Sequence, residues 1–142
     1  MNTEIRICTS DSDVVACMSV MRELRPHISE PDFLARIRRQ EQGGFKLVCL
    51  LAEGRPVAAA GIRIITNLAW GTFLYVDDLV TLDAERSRGF GAQLLKWLHD
   101  YAKEQKCDQL HLDSGTWRKD AHRFYEREGM DMTSLHFASK LT

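Results

Sequence analysis

The chain holds four cysteines, Cys8, Cys17, Cys49 and Cys107, and none forms a CxxC pair. That absence removes a zinc clip and a thioredoxin-like motif from consideration, and scattered cysteines in apolar settings read as buried reduced thiols. No apolar run approaches the roughly 20 residues that a membrane-spanning helix needs. The opening segment MNTEIRICTSDSD lacks a basic stretch followed by an apolar one, so no secretory signal is expected and the expected location is cytoplasmic. Charge of one sign is also missing. Lysine plus arginine number 19 against 20 acidic residues, a net charge of −1, which argues against a general nucleic-acid binder while leaving a local basic patch open. Linkers, internal repeats and low-complexity segments are absent as well, so one domain over residues 1–142 is expected, long enough for a core without disulfides or metal.

What is present is an ordered alternation of patterns. Ile5 and Ile7 alternate with polar neighbours, a short strand signal. Ser10 stands three residues before Asp13 and opens a helix with Val14, Cys17, Met18, Met21 and Leu24 at helical spacing, which Pro26 should stop. Ser29 and Asp32 repeat the cap, Phe33, Leu34 and Ile37 give a second helix, and Gly43–Gly44 end it. FKLVCLLA, VAAAGIRII and WGTFLYVDDLVTL then read as three consecutive antiparallel strands. A long helix follows from about Gly89 to Lys106, with Phe90, Leu94, Leu95, Leu98, Tyr101 and Ala102 on one face. Gln109–Leu112 reads as a strand, Lys119–Arg127 as a helix ending at Gly129, and MDMTSLHFASKL as one or two closing strands. The expected order is β-α-α-β-β-β-α-β-α-β(β), an α+β fold with a mixed, mostly antiparallel sheet of six to seven strands and about four helices.

The stretch ERSRGFGAQLL places two glycines and two arginines at the mouth of the long helix. The first amides of a helix have no internal partners and carry partial positive charge, and glycine lets a ligand approach the backbone closely. This pattern points to an anion, phosphate above all. The GxxxxGK sequence of a P-loop is absent. A dinucleotide fingerprint would need glycine or alanine where Leu94 stands, directly after a strand. RxxGxG, by contrast, is met by Arg86, Gly89 and Gly91.

On these residues the sequence resembles the GNAT superfamily of N-acetyltransferases. The motif of strand, Q/R-x-x-G-x-G/A loop and helix is matched by LVTLDAERSRGFGAQLL, and AHRFYEREGM resembles the family's second motif through Ala121, Phe124, Tyr125, Gly129 and Met130. The N-terminal half resembles it in element order only. The resemblance implies a GNAT-like acetyltransferase domain with acetyl-CoA as co-substrate and no metal. Arg86, Ser87, Arg88, Gly89, Phe90, Gly91 and Ala92 would cradle the diphosphate, with Arg86 shaping the loop. Leu79, Val80 and Thr81 would pair with the pantetheine arm through their free backbone groups, and Phe124 belongs with the cofactor-binding residues. Tyr125 falls where the family carries its general acid. Many members have asparagine, which helps hold the cofactor, where this chain has Arg118. Arg118 is grouped with the cofactor-binding residues, although arginine there can equally bind an acidic acceptor or lie on the surface.

For the base, Asp77 and Asp78 interrupt an apolar strand. Neighbouring strand residues face opposite sides, so one alone should reach the acceptor unless a bulge intervenes. Arg25 and His27, between the first two helices, lie where the family's acceptor cleft is often walled, and with Asp78 they form the expected acceptor-binding set. His111 and Asp113 alternate on a strand without a third metal ligand. The acceptor expected is a primary amine of a small molecule, attacking the thioester directly in a ternary complex. A non-catalytic acyl-CoA-binding module, or an enzyme acting on a protein or aminoacyl-RNA, is the alternative. Dimers are common in such folds, and nothing in the sequence decides for or against a homodimer.

Overall fold

The computed structural model describes residues 2–142. Its elements are β1 (Thr3–Cys8), α1 (Asp11–Met21), α2 (Glu30–Glu41), β2 (Lys46–Ala52), β3 (Arg55–Asn67), β4 (Gly71–Thr81), a 3-10 turn (Asp83–Glu85), α3 (Phe90–Glu104), β5 (Gln109–Leu112) and α4 (Lys119–Arg127). The strands form one sheet in the order β1-β2-β3-β4-β5, and β1 through β4 pair antiparallel. The chain divides into two compact units, one running to His111 and the other over Leu112–Thr142.

Local chemistry accounts for the helix starts. The Ser10 and Ser29 hydroxyls accept hydrogen bonds from the backbone N–H groups of Asp13 and Asp32, at 3.1 and 3.4 Å. Each satisfies a donor that a helix leaves orphaned. Pro31 sits in the first turn of α2, where its missing N–H costs nothing. α1 ends at Met21, well before Pro26, and a turn held by Arg25 N–H donating to Met21 O at 2.8 Å leads out of it.

The core on one side of the sheet joins Val14, Cys17, Met18 and Met21 of α1 and Phe33 and Ile37 of α2 to the strand residues beneath them. β2 is buried from Leu47 to Ala52, along both faces. α3 packs on β3 and β4 and buries Phe90, Leu94, Leu95 and Leu98, the stripe its periodicity gives.

The sheet has five strands among the described residues, not six or seven. No ladder forms over residues 130–142, and Met132, Leu135, Phe137 and Leu141 are exposed. Alternation can supply an apolar face, but a strand exists only when its N–H and C=O groups meet a neighbour's.

Candidate active site

The connector from β4 to α3 is held by one buried acid. Glu85 is 7% exposed and accepts a 2.7 Å hydrogen bond from Arg55 of β3. Arg88 approaches its other oxygen to 3.1 Å, an ion-pair distance without hydrogen-bond alignment. The Arg55 hydrogen bond is the main reason the Glu85 carboxyl titrates below the ordinary range. Arg86 pairs with Asp83 at 2.9 Å. Both loop arginines are thus engaged by acids of the same connector.

Ser87 and Gly89 take left-handed backbone angles, with φ of 69° and 81°. Gly89 occupies the N-cap position of α3, no side chain caps the helix, and its first turn carries no acid. The first intrahelical bond runs from Gln93 N–H to Gly89 O at 3.0 Å. The amides of Phe90, Gly91 and Ala92 therefore precede the helix's own ladder and point out of its positive end. These are the groups an anion would meet.

β4 leads into this loop. Leu79, Val80 and Thr81 pair with Ala60, Ala59 and Ala58 of β3. On the other edge β5 is four residues long and joins beside Thr72, where the Asp108 N–H donates to Thr72 O at 2.6 Å. Four residues reach only about 13 Å, and Leu79 lies some 23 Å along the strand from Thr72. β5 is therefore too short to reach alongside Leu79–Thr81.

The register of β4 shifts between Asp78, opposite Gly61, and Val76, opposite Ile62. Asp77 is the extra residue of a β-bulge, which re-aims side chains locally. Asp77 accepts two hydrogen bonds from Arg63, at 2.7 and 2.8 Å, and Asp78 accepts one from Arg25 at 2.6 Å. Gly61 and Arg63 share a face of β3, so the bulge turns both carboxylates to that side. The Asp78 side chain is 15% exposed, whereas its partner Arg25 is 47% exposed. His27 lies exposed in the turn after Pro26.

The second unit carries Arg118, Phe124 and Tyr125. Arg118 stands at the N-cap position of α4, and Phe124 and Tyr125 are neighbouring half-buried rings on that helix, 5.4 Å apart. Burial pushes the Tyr125 phenol above its ordinary pKa, and the Arg118 charge pulls weakly the other way. The imidazole Nε2 of His122 lies 2.8 Å from Gly115 O, which reads as a structural contact. His111 stacks on Trp70 with ring centroids 3.7 Å apart.

Glu85, Arg55 and Arg63 escaped the sequence reading. An acid three residues before Arg88 was the only available hint for Glu85, and nothing local ties Arg55 or Arg63 to their partners.

A bulged strand thus leads through a glycine loop into an uncapped helix, an arrangement suited to an anion. Comparison with known proteins agrees. The Acetyltransferase (GNAT) family description matches residues 14–130. The uncharacterized N-acetyltransferase YhdJ of Bacillus subtilis (strain 168) is 31% identical over 131 residues, covering 91% of this chain and 92% of that protein. The aminoalkylphosphonate N-acetyltransferase of Salmonella typhimurium is 35% identical over 92 residues, 64% of this chain and 60% of that protein. Among solved structures, AAC(6')-Iy in complex with the bisubstrate analogue CoA-S-monomethyl-acetylneamine superposes with a TM-score of 0.87 at 14% identity, over 100% of this chain and 99% of that one. A Trypanosoma brucei acetyltransferase gives a TM-score of 0.79 at 20% identity, over 99% and 100%. The chain belongs to the GNAT acetyltransferase family and is an N-acetyltransferase.

Proposed function

We propose that the protein transfers an acetyl group from acetyl-CoA to a primary amine of a small, cationic acceptor, by direct attack within a ternary complex. The observation that carries this reading is the uncapped, acid-free start of α3 behind the left-handed Gly89. Acetyl-CoA supplies the activated acyl group. The Phe90, Gly91 and Ala92 amides hold its diphosphate, and the loop from Arg86 to Arg88 shapes that cradle. The edge of Leu79–Thr81 beyond the reach of β5 takes the pantetheine arm as an added strand, and an amide of β4 donates to the thioester oxygen. Arg118 and Phe124 complete the cofactor-binding set on the strength of the family motif.

Of the two carboxylates, Asp78 receives the acceptor. Asp77 is locked by a two-pronged contact to Arg63, whereas Asp78 has a single contact from an exposed arginine that a substrate ammonium can displace. Asp78 orients the amine and takes its proton through water. His27 and Arg25 stand in the turn that supplies this contact, and Arg25 is free for an anionic part of the acceptor once it leaves Asp78. Tyr125 gives its proton to the departing sulfur, a role supported by its place in the second motif and by a phenol that stays protonated at neutral pH. Small amines also suit the names of relatives. The Salmonella enzyme is named for an aminoalkylphosphonate, and AAC(6')-Iy is bound to an acetylneamine analogue.

The test is an amine screen with acetyl-CoA that follows free thiol release. An active acceptor should lose turnover roughly 10²- to 10⁴-fold in Tyr125→Phe while the cofactor affinity holds. Unchanged turnover removes the acid role. Cofactor binding without turnover on any amine would favour a non-catalytic acyl-CoA module, and turnover confined to a protein or aminoacyl-RNA would replace the small-molecule reading.

A further inference from the structure

Three of the four cysteines converge. Cys8 ends β1 opposite Leu47, and Cys49 lies two residues beyond Leu47 on β2, so the two thiols share one sheet face. Cys17 comes down onto that face from the buried side of α1. The three sulfurs all lie within 4.8 Å of one another, at 2%, 0% and 3% residue exposure. They come from three different elements far apart in sequence, and Cys107 stands apart from them.

We propose that Cys8, Cys17 and Cys49 form a buried tris-thiolate site for a thiophilic, three-coordinate centre, trivalent arsenic above a divalent metal. Three sulfurs bound to a pyramidal trivalent arsenic at about 2.3 Å stand roughly 3.5 Å apart, so small side-chain rotations suffice to close a trio already within 4.8 Å. No histidine or carboxylate joins them within the same spacing among the described residues, which leaves a structural zinc short of its fourth ligand. Charge decides further. Three thiolates around zinc carry one net negative charge and around copper(I) two. The three cysteines belong to a buried apolar cluster that also holds Val14, Met18, Leu47, Leu51 and Ala59, where an uncompensated charge is expensive. Trivalent arsenic makes a neutral product. Arsenous acid and three thiols exchange three As–O and three S–H bonds for three As–S bonds and three waters, with no change of oxidation state.

The experiment exposes the reduced full-length protein to sodium arsenite, with slow exchange expected because the sulfurs are buried. Intact native mass spectrometry should show a gain of one arsenic less three hydrogens per chain, accompanied by near-ultraviolet sulfur-to-arsenic absorption and a higher melting temperature. Cys107→Ala should retain all three signals, and Cys17→Ala and Cys49→Ala should each lose the mass gain while circular dichroism shows them folded. Should either variant fail to fold, the wild-type hydrogen count still reports how many thiols are used. Failure of the wild type to gain arsenic after incubation near its melting midpoint overturns the proposal. So does loss of the adduct in Cys107→Ala, a loss of two hydrogens in place of three, or displacement of arsenite by an equimolar amount of zinc.

Discussion

In the proposed function, Gly89 is the residue on which cofactor binding turns. Space is available around it, since an added Cβ would meet nothing within 4 Å, but its φ of 81° suits glycine alone. Gly89→Val should cost about 1–2 kcal/mol of stability in chemical denaturation, the strain of a branched residue in the left-handed region. Calorimetry should show weaker acetyl-CoA binding as the backbone relaxes away from the diphosphate, and an unchanged affinity would remove the loop from the site. The two aspartates should separate by kinetics. Asp78→Asn should raise the KM for the amine acceptor, whereas Asp77→Asn leaves Arg63 without its partner and should chiefly lower stability. That loss should be about 1 kcal/mol, because the Asp77–Arg63 pair is partly exposed. Equal KM effects from both would contradict the assignment. At Tyr125, burial raises the phenol pKa above its usual value near 10. The acid form is therefore complete at neutral pH and is lost only as pH climbs through that raised value. Between pH 7 and 9, kcat should show no fall that Tyr125→Phe abolishes.

At the level of elements, the connector between β4 and α3 depends on Glu85. Its carboxyl titrates below the ordinary range because Arg55 and Arg88 face the anion. The sign follows directly: the stabilisation is complete above the ordinary glutamate pKa of about 4.3 and is lost as pH falls through the lower folded value. Glu85→Gln should mimic that acid state at neutral pH. It should weaken acetyl-CoA binding and raise protease sensitivity between Thr81 and Phe90, with the rest of the chain protected. Limited proteolysis with mass mapping reads this, and an unaltered cleavage pattern would show that the connector holds its shape without the acid. Both arginines of the motif were visible in the sequence, but their engagement with Asp83 and Glu85 was not. An i,i+3 pair in a turn can be suspected from spacing, while the Arg55 contact spans 30 residues and exists only because β3 and β4 pair.

For the whole molecule, a ligand that binds only the folded chain must stabilise it. At a hundred times its Kd, acetyl-CoA should add about 2.7 kcal/mol, a melting shift on the order of 10 °C for a chain of this size. Gly89→Val should shrink that shift at the same cofactor concentration, and scanning calorimetry at fixed protein concentration would show it. An absent shift in the wild type would count against cofactor binding altogether. The expected order of elements held up to α4, because each helix and strand there has its own period, cap or breaker. The closing strands did not form: the tail has the alternation but no ladder.

What the sequence determined alone is therefore local: where Ser10 and Ser29 start helices, which stripe of α3 is buried, and why a glycine loop before that helix suits an anion. These follow from short-range periodicity, capping and backbone freedom, all readable within a few residues. Tertiary structure alone decided the bulge that turns Asp77 and Asp78 to one side, the arginines that engage them, the burial of Glu85 and the meeting of Cys8, Cys17 and Cys49. Each depends on strand register and helix docking, which are set by the free energy of burying the whole core, and no short stretch of sequence carries that information.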